Sequence, residues 1–311
     1  MTEAKDFCKI DFRRFELSDR ENYERYLFAE EGRGCEFSFA NLYLWGRQSF
    51  AEVSGQIVLF SQFDRRSVYP FPLGEGDKRA ALDAIIADSR ARGIPCRITG
   101  LDGGERALIE EYYPDKFRFH SDEGSFDYVY RVDDLALLAG RKYSGKRNHL
   151  NRFYEAHPAA RAVPISDENI DSVRKMTEEW YEKRLSENPN ADFEMERAAL
   201  YKALRDYREL SMDGLVLVDG GTVLGFTLAS RISSDTFDVH FEKALSEVQG
   251  AYPAINCALA RYIREKYPEV KFLNREEDMG IEGLRRAKES YHPHHRVVKY
   301  WAHLLEEGYE Y

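Results

Sequence analysis

Cysteine is scarce in this chain, and its few cysteines form no recognisable pattern. The 311 residues include only Cys8, Cys35, Cys96 and Cys257, and no two of them make a C-x-x-C pair. This spacing gives no support to a zinc ribbon or a dithiol redox motif. We expect buried thiols in a reducing compartment.

Long apolar runs and an excess of basic residues are also missing. No segment approaches the roughly 20 apolar residues that a membrane-spanning helix requires, and Met1–Phe12 has no apolar signal core. The chain has 45 Lys and Arg against 55 Asp and Glu, a net charge of −10. This charge argues against a protein that coats nucleic acid. We expect a cytoplasmic protein without stable membrane insertion, and the sequence does not set its oligomeric state.

Signature motifs of several enzyme classes are missing as well. The sequence has no nucleophile elbow, Walker loop or paired dinucleotide fingerprint. His292, His294 and His295 flank Pro293, but no carboxylate or cysteine completes a recognisable set of metal ligands there. The sequence therefore predicts no metal site and no certain resident cofactor.

The two halves of the chain share one layout. Each half contains a hairpin with Gly at its turn, a helix, a strand and a second helix that ends near Pro. The strands are predicted at Cys96–Thr99 and Val270–Leu273. This predicts a duplicated α/β module. With a boundary in Asp133–Gly140, the predicted domains are 1–135 and 136–311, and a final strand is expected at His295–His303.

A basic segment opens the second half. Arg141–Arg152 contains five cationic residues in an otherwise acidic chain. On a helix that begins near Ser144, the core positions leave Lys146, Arg147 and Asn151 available to a polyanion or phosphate. The alternatives are a solvated basic face or a general RNA-binding patch.

Further ionisable and polar residues follow the strands of the second half. Glu242 lies near the end of a strand, and Gln249-Gly250 precedes a helix whose N-terminal N–H groups could hold an anion. A second group follows the strand at Val270–Leu273 and continues into the next helix: Asn274, Arg275, Asp278, Arg285 and Lys288. Ligands of α/β proteins bind beyond such strand ends. Ion pairs on the surface and a plain strand–helix turn remain the alternative interpretations.

These segments resemble the motifs of a known family. Lys142–Phe153 is similar to the KKRNHINRF signature of the DUF2156 family, which is also the C-terminal domain family of phosphatidylglycerol lysyltransferases. The likeness extends over most of the chain, through His240–Ala244 with Gly250–Asn256, Asn274–Asp278 with Gly283–Lys288 and Ser290–Pro293, and the aromatic segment Phe37–Trp45.

The resemblance implies a fold and a reaction class. The implied fold is mixed α/β (α+β), with two tandem GNAT-like (acyl-CoA N-acyltransferase-like) modules, each a mixed sheet flanked by helices. Family members transfer an aminoacyl group from charged tRNA to a lipid head group. The chain shows no membrane-spanning part and no multi-glycine pyrophosphate loop, which weighs against phosphatidylglycerol as acceptor and acetyl-CoA as donor.

The resulting hypothesis is an acyl- or aminoacyltransferase whose site lies in the second module. Glu242 would orient or deprotonate an amine or hydroxyl acceptor, and Arg285 and Lys288 would stabilise negative charge. The donor would be an acyl-CoA or a charged tRNA, and the acceptor a small molecule or a lipid head group. The residues that would bind them are Lys146, Arg147, Asn148, Gln249, Gly250, Asn274, Arg275, Asp278 and Tyr291. Tyr291 also fits a core position. The alternative is a non-catalytic protein that senses an aminoacyl, nucleotide or lipid-head-group ligand.

Overall fold

The computed structural model describes residues 9–63, 66–189 and 192–305. Their strands are β1 (Arg13–Arg14), β2 (Gln48–Val53), β3 (Gln56–Phe63), β4 (Arg66–Pro70), β5 (Arg97–Leu101), β6 (Phe117–Ser121), β7 (Asp127–Arg131), β8 (Arg161–Pro164), β9 (Asp213–Asp219), β10 (Thr222–Arg231), β11 (Thr236–Ala244), β12 (Phe272–Asn274), β13 (His295–Val297) and β14 (Tyr300–Leu304). Their helices are α1 (Arg20–Phe28), α2 (Phe39–Trp45), α3 (Lys78–Arg92), α4 (Gly103–Tyr112), α5 (Val132–Leu137), α6 (Ser144–Ala156), α7 (Ile170–Glu187), α8 (Glu194–Asp206), α9 (Ala251–Lys266) and α10 (Glu282–Glu289). Within these ranges, no helix is both long and apolar enough to cross a membrane.

Two compact units divide the chain. The first contains the residues up to 127 and those from 297 onward, and the second contains residues 128–296. Each unit has one seven-stranded sheet, in the orders β1-β2-β3-β4-β5-β14-β6 and β13-β7-β12-β11-β10-β9-β8. Both sheets are mixed, because β4–β5 and β11–β12 pair in parallel and their other recorded pairings are antiparallel. The predicted fold class, two mixed sheets flanked by helices, is confirmed.

The repeated layout is visible as a strand–helix–strand unit in each sheet. In the first unit β4, α3 and β5 form it, and in the second unit β11, α9 and β12 form it. Each helix buries an apolar stripe; in α9 the stripe includes Ile255, Leu259 and Ile263, all fully buried. A fully buried side chain of this kind contributes roughly 1.5–3 kcal/mol, so α9 anchors the core of the second unit.

The last strand of each sequence half pairs in the sheet formed mainly by the other half. β7 lies between β12 and β13 in the second sheet, and β14 lies between β5 and β6 in the first sheet. Each sheet therefore contains one strand from the other half of the sequence. The single final strand expected at His295–His303 is wrong: β13 and β14 are separate strands in different sheets.

The cysteines that the structure describes are buried and unbridged. Cys35, Cys96 and Cys257 have little or no exposed surface, in agreement with the sequence, and Cys8 lies outside the described residues. Burial raises the pKa of the Cys257 thiol, which keeps it in the unreactive protonated form.

Gly250 permits the close packing of α6 against the start of α9. Its φ is +88°, and a Cβ at this position would lie 2.9 Å from the His149 carbonyl oxygen and 2.9 Å from Phe153 Cβ. This turn starts α9 at Ala251. Pro253 is accommodated because the first helical turn needs no hydrogen bond from its backbone nitrogen.

We expect Gly250→Ala to lower the free energy of unfolding by at least 1 kcal/mol more than Gly221→Ala. Both glycines have a φ of +88°, but a Cβ at Gly221 would meet nothing within 4 Å. The left-handed conformation costs about 1–2 kcal/mol in either variant, so the difference isolates the clash with α6. Urea denaturation measures it. Equal losses in the two variants would show that α6 moves away without cost.

Candidate functional site

A cavity forms in the second unit where β11 and β12 separate. The parallel pairing of these strands extends only from Thr236 to Asp238 on β11. After β12 the chain stays beside β7, because the Arg275 N–H donates to the Tyr128 carbonyl at 2.9 Å. β11 continues to Ala244. The described residues therefore give its final part no strand neighbour on that side, and the cavity occupies this edge.

The cavity has a volume of about 570 Å³ and a lining of mixed charge. Its cationic side chains are Lys146, Lys243, Arg275 and Lys288, its carboxylates are Glu196, Glu242, Glu276 and Glu277, and its remaining members include His240, Tyr252 and Tyr291. Charges of both signs within one recess favour a ligand that is itself charged at both ends.

Glu242 is held by two neighbours at the edge of β11. Arg275 Nη2 lies 2.9 Å from its Oε1, and Asn256 Nδ2, from α9, donates to its Oε2 at 3.1 Å. The Glu242 and Arg275 side chains are 11% and 15% exposed, so the pair is largely shielded from water while it still lines the cavity. Each carboxylate oxygen retains a lone pair, which leaves Glu242 able to accept a hydrogen bond from a ligand.

Lys146 projects from α6 over Tyr291. Its Nζ lies 3.8 Å from the centre of the Tyr291 ring and 2.6 Å from Ser290 Oγ. A contact of this cation–π type contributes about 0.5–2 kcal/mol. Tyr143, just before α6, donates its hydroxyl to the Tyr291 carbonyl at 3.0 Å. The basic helix is thereby attached to the wall of the cavity.

Burial shifts the pKa values of Tyr291 and Lys146 in this part of the cavity. It raises the pKa of Tyr291 to about 12, against the opposing effect of Arg275. Burial and the nearby Arg275 guanidinium both lower the pKa of Lys146. At neutral pH Tyr291 is a neutral hydroxyl that can donate a proton, and Lys146 gives up its proton more readily than an ordinary lysine.

Asp278 fixes the loop of residues 275–281 through hydrogen bonds of its buried carboxylate. It is fully buried, and its oxygens accept hydrogen bonds from Arg285 Nε at 2.8 Å, the Tyr128 hydroxyl at 2.7 Å and the Gly280 N–H at 2.8 Å. The Arg285 hydrogen bond is the main reason that the pKa of Asp278 lies well below its usual range. The carboxylate therefore stays charged and fixes the loop.

Three more hydrogen bonds complete the support of this loop. Lys288 Nζ donates to the carbonyl oxygens of Arg275 and Glu276, and Asn274 Oδ1 accepts the Glu276 N–H at 2.8 Å. The loop needs this support because Glu276 and Met279 adopt positive φ angles of 56° and 53°, a conformation that costs roughly 1–2 kcal/mol for each such residue. The result is a fixed platform for the side chains of Arg275 and Glu276.

The structure thus divides the predicted site residues into groups. Glu242, Lys146, Arg275, Lys288 and Tyr291 line the cavity, although the Lys288 ammonium is directed to backbone carbonyls. A second set supports the loop and is absent from the lining: Asn274, Asp278 and Arg285.

The remaining predicted residues lie elsewhere. Gln249 and Gly250 border a smaller recess of about 340 Å³, which Lys146 also lines. Arg147 donates to the backbone carbonyls of Leu138 and Gly140. Asn148 is exposed on α6. The basic segment is therefore not a continuous cationic face, because Arg147 is used to fasten the chain before α6.

Two residues at the site, Asn256 and Lys243, were not predicted from the sequence. Asn256 is a buried amide within the apolar stripe of α9, and a polar residue at a core position was the available signal. Lys243 is the second-to-last residue of β11 and is 5% exposed. Its Nζ lies 2.7 Å from Glu196 Oε1 and 3.7 Å from the centre of the Trp180 ring. Burial lowers the pKa of Lys243 despite the attraction of Glu196.

Fold and cavity together define a protein of two mixed α/β modules, one of which carries a charged cavity where parallel strands separate. The chain belongs to the family described as "Phosphatidylglycerol lysyltransferase, C-terminal", whose model matches residues 29–303. The resemblance to the DUF2156 family is thus confirmed. No match was found among curated proteins.

Solved structures agree with this assignment. A conserved protein of unknown function from Bacteroides thetaiotaomicron VPI-5482 is 34% identical, with a TM-score of 0.90 over 95% of this chain and 100% of that chain. L-PGS from Bacillus licheniformis is 17% identical, with a TM-score of 0.67 over 92% of both chains. A C-terminal domain (DUF2156) from Agrobacterium fabrum is 12% identical, with a TM-score of 0.67 over 93% of this chain and 92% of that chain. The last two similarities show the fold alone.

We expect Asp278→Asn to destabilise the protein by about 2 kcal/mol near pH 7, since hydrogen bonds to a charged group are worth roughly 1.5–3 kcal/mol. A carboxyl group with a lowered pKa in the folded state stabilises the fold above its ordinary pKa of 3.8. This contribution is lost as the pH falls from there toward the folded-state pKa. The difference between wild type and variant in urea denaturation should therefore shrink below about pH 4.

Asp171→Asn is the matched control for Asp278→Asn. Asp171 pairs with Arg174 at 2.7 Å, but its side chain is 86% exposed. Exposed pairs contribute about 0–1 kcal/mol, so this variant should behave almost as wild type. An equally small effect of Asp278→Asn would contradict the role given to the buried carboxylate.

Proposed function

We propose that this protein is an aminoacyltransferase that moves an aminoacyl group from charged tRNA to an amine or hydroxyl acceptor in the cavity of the second unit. The observation that carries the proposal is the Glu242 carboxylate, held by Arg275 and Asn256 and directed into a recess of mixed charge. Membership of the phosphatidylglycerol lysyltransferase family supports the reaction class. The absence of a multi-glycine loop before α9, which has only Gln249-Gly250, favours an aminoacyl ester over an acyl-CoA donor.

In the proposed reaction the acceptor attacks the ester carbonyl of the donor directly. Glu242 accepts the proton of the attacking amine or hydroxyl while its second oxygen remains fixed by Asn256. A new bond forms between the acceptor atom and the carbonyl carbon, and the bond to the ribose oxygen breaks. No covalent enzyme intermediate is required, because an ester is sufficiently activated for attack by a positioned nucleophile.

Charge stabilisation falls to Lys146 and Arg275. Both line the cavity, and a cation in a partly dehydrated recess stabilises a developing oxyanion more strongly than in water. Tyr291, whose pKa burial raises to about 12, is protonated at neutral pH and can donate to the departing ribose oxygen. Arg285 and Lys288 act as positioning residues, because their cationic groups bind Asp278 and backbone carbonyls.

The acceptor is a small molecule or a lipid head group that carries a nucleophilic amine or hydroxyl. The carboxylates Glu196 and Glu277 offer partners for the ammonium group of the aminoacyl donor. A cytoplasmic location is part of the proposal, since charged tRNA is found there.

We expect Glu242→Gln to reduce kcat/KM for aminoacyl transfer by about 10²–10⁴-fold, the usual contribution of a positioned general base. The assay follows a labelled aminoacyl group from charged tRNA to a panel of acceptors that includes phosphatidylglycerol vesicles and soluble amino alcohols, with acyl-CoA donors in parallel. Glu282→Gln is the matched control, because its side chain is 70% exposed on α10 and is absent from the cavity lining. Saturable donor binding without turnover for any acceptor would instead indicate a sensor.

We expect Lys146→Met to reduce kcat/KM at least about tenfold, chiefly through kcat, because an interaction specific to the transition state is removed. Lys142→Met removes the same charge from the same segment. Lys142 is 51% exposed and lies 3.6 Å from Asp134, so its loss should have little effect. Steady-state kinetics of the two variants separate a local contribution from the general charge of the protein, and equal losses would contradict the assignment of Lys146.

A further inference from the structure

Three potential metal ligands meet beside the cavity. Asp238 and His240 lie two residues apart on β11, so their side chains share one face of the strand. Glu276 reaches them from the 275–281 loop. His240 Nδ1 lies 3.5 Å from Asp238 Oδ2 and 3.6 Å from Glu276 Oε1. Ligand atoms of the three residues all lie within 4.8 Å of one another.

Ser230 determines which nitrogen of His240 faces the carboxylates. Its Oγ lies 2.8 Å from His240 Nε2, so Nε2 is engaged by the hydroxyl and Nδ1 is directed to Asp238 and Glu276. Histidine ligands of metals typically have their second nitrogen fixed in this way by a neighbouring hydrogen-bonding group. The His240 and Asp238 side chains are completely buried, which fixes their positions by packing.

The spacing of these atoms fits a shared cation better than direct hydrogen bonds. Separations of 3.5 and 3.6 Å exceed the usual length of an N–H···O hydrogen bond. Zinc binds nitrogen and oxygen ligands at about 2.0–2.2 Å in tetrahedral geometry, which places neighbouring ligand atoms roughly 3.4 Å apart. An ion between the three side chains would therefore need only small movements of the ligands.

We propose that Asp238, His240 and Glu276 form a binding site for a divalent transition-metal ion of the zinc class. One imidazole and two carboxylates are ligands suited to such an ion. His240 and Glu276 line the cavity, so the ion has a route from solvent, and three protein ligands leave a coordination position for water or a ligand oxygen. The proposal is independent of the aminoacyltransferase function, because metal binding is measurable without turnover.

A Ser–His–Asp catalytic triad is the other arrangement that these residues suggest. The Ser230–His240 distance would suit it, but Ser230 is 4% exposed and is absent from the cavity lining. A nucleophile that no substrate carbonyl can reach performs no acyl transfer. The longer distance from His240 to Asp238 also exceeds the hydrogen bond that orients the base in such a triad.

Calorimetric titration of the chelator-treated 311-residue protein with zinc tests the proposal. We expect one zinc ion per chain and a rise in Tm with zinc concentration, because a ligand that binds only the folded state stabilises it. Glu276→Gln should weaken zinc binding at least about tenfold. Glu277→Gln is the matched control: the neighbouring carboxylate also lines the cavity but is outside the cluster, so zinc affinity should be retained.

Asp238→Asn provides a second ligand variant, and circular dichroism establishes whether each variant is folded. Cobalt added in place of zinc reports four-coordinate binding through its visible absorption. This absorption should be lost in Glu276→Gln and retained in Glu277→Gln. Absence of zinc binding to the wild type would overturn the proposal. So would binding that persists in Glu276→Gln and disappears in His295→Ala, because His294 and His295 form an exposed histidine pair with their Nδ1 atoms 2.9 Å apart.

Discussion

The buried charge of Asp278 is the constraint on which the cavity depends. An isolated carboxylate without water costs several kcal/mol, so it requires compensating partners. Arg285, Tyr128 and the Gly280 N–H supply them, and each comes from a different position around the loop. The chain between β12 and α10 is thereby fixed in one path, although Glu276 and Met279 occupy an unfavourable backbone region. Asp278 thus determines the positions of the loop side chains that face the cavity, although it does not line the cavity itself.

Local chemistry explains which features the sequence revealed. The hairpin of β9 and β10 turns at Gly220-Gly221, both with positive φ, and such turns are encoded within a few residues. The start of α6 at Ser144 also agrees with the prediction. Two of the polar residues predicted near strand ends, Glu242 and Arg275, contact each other and line the cavity.

What the sequence could not reveal depends on partners far away in the chain. Arg275 and Arg285 are equally basic and only ten positions apart, yet one faces the cavity and the other binds a buried acid. That difference is set by Tyr128 and Asp278, which are 150 residues apart. Asn256 was missed because a single amide in an apolar helical stripe has no spacing pattern of its own. The placement of β7 and β14 likewise leaves no trace in local periodicity.

The positions of β7 and β14 affect how the protein folds while it is being synthesised. Leu273 on β12 pairs with Tyr130 on β7, and Tyr300 on β14 pairs with Leu101 on β5. Pairings between such distant segments close long loops and slow folding. During synthesis, β5 and β6 must wait until β14 has left the ribosome before the gap between them can be filled. The growing chain therefore carries an unpaired edge on β5 while residues 102–299 are made, a stage at which chaperones protect unpaired strands from aggregation.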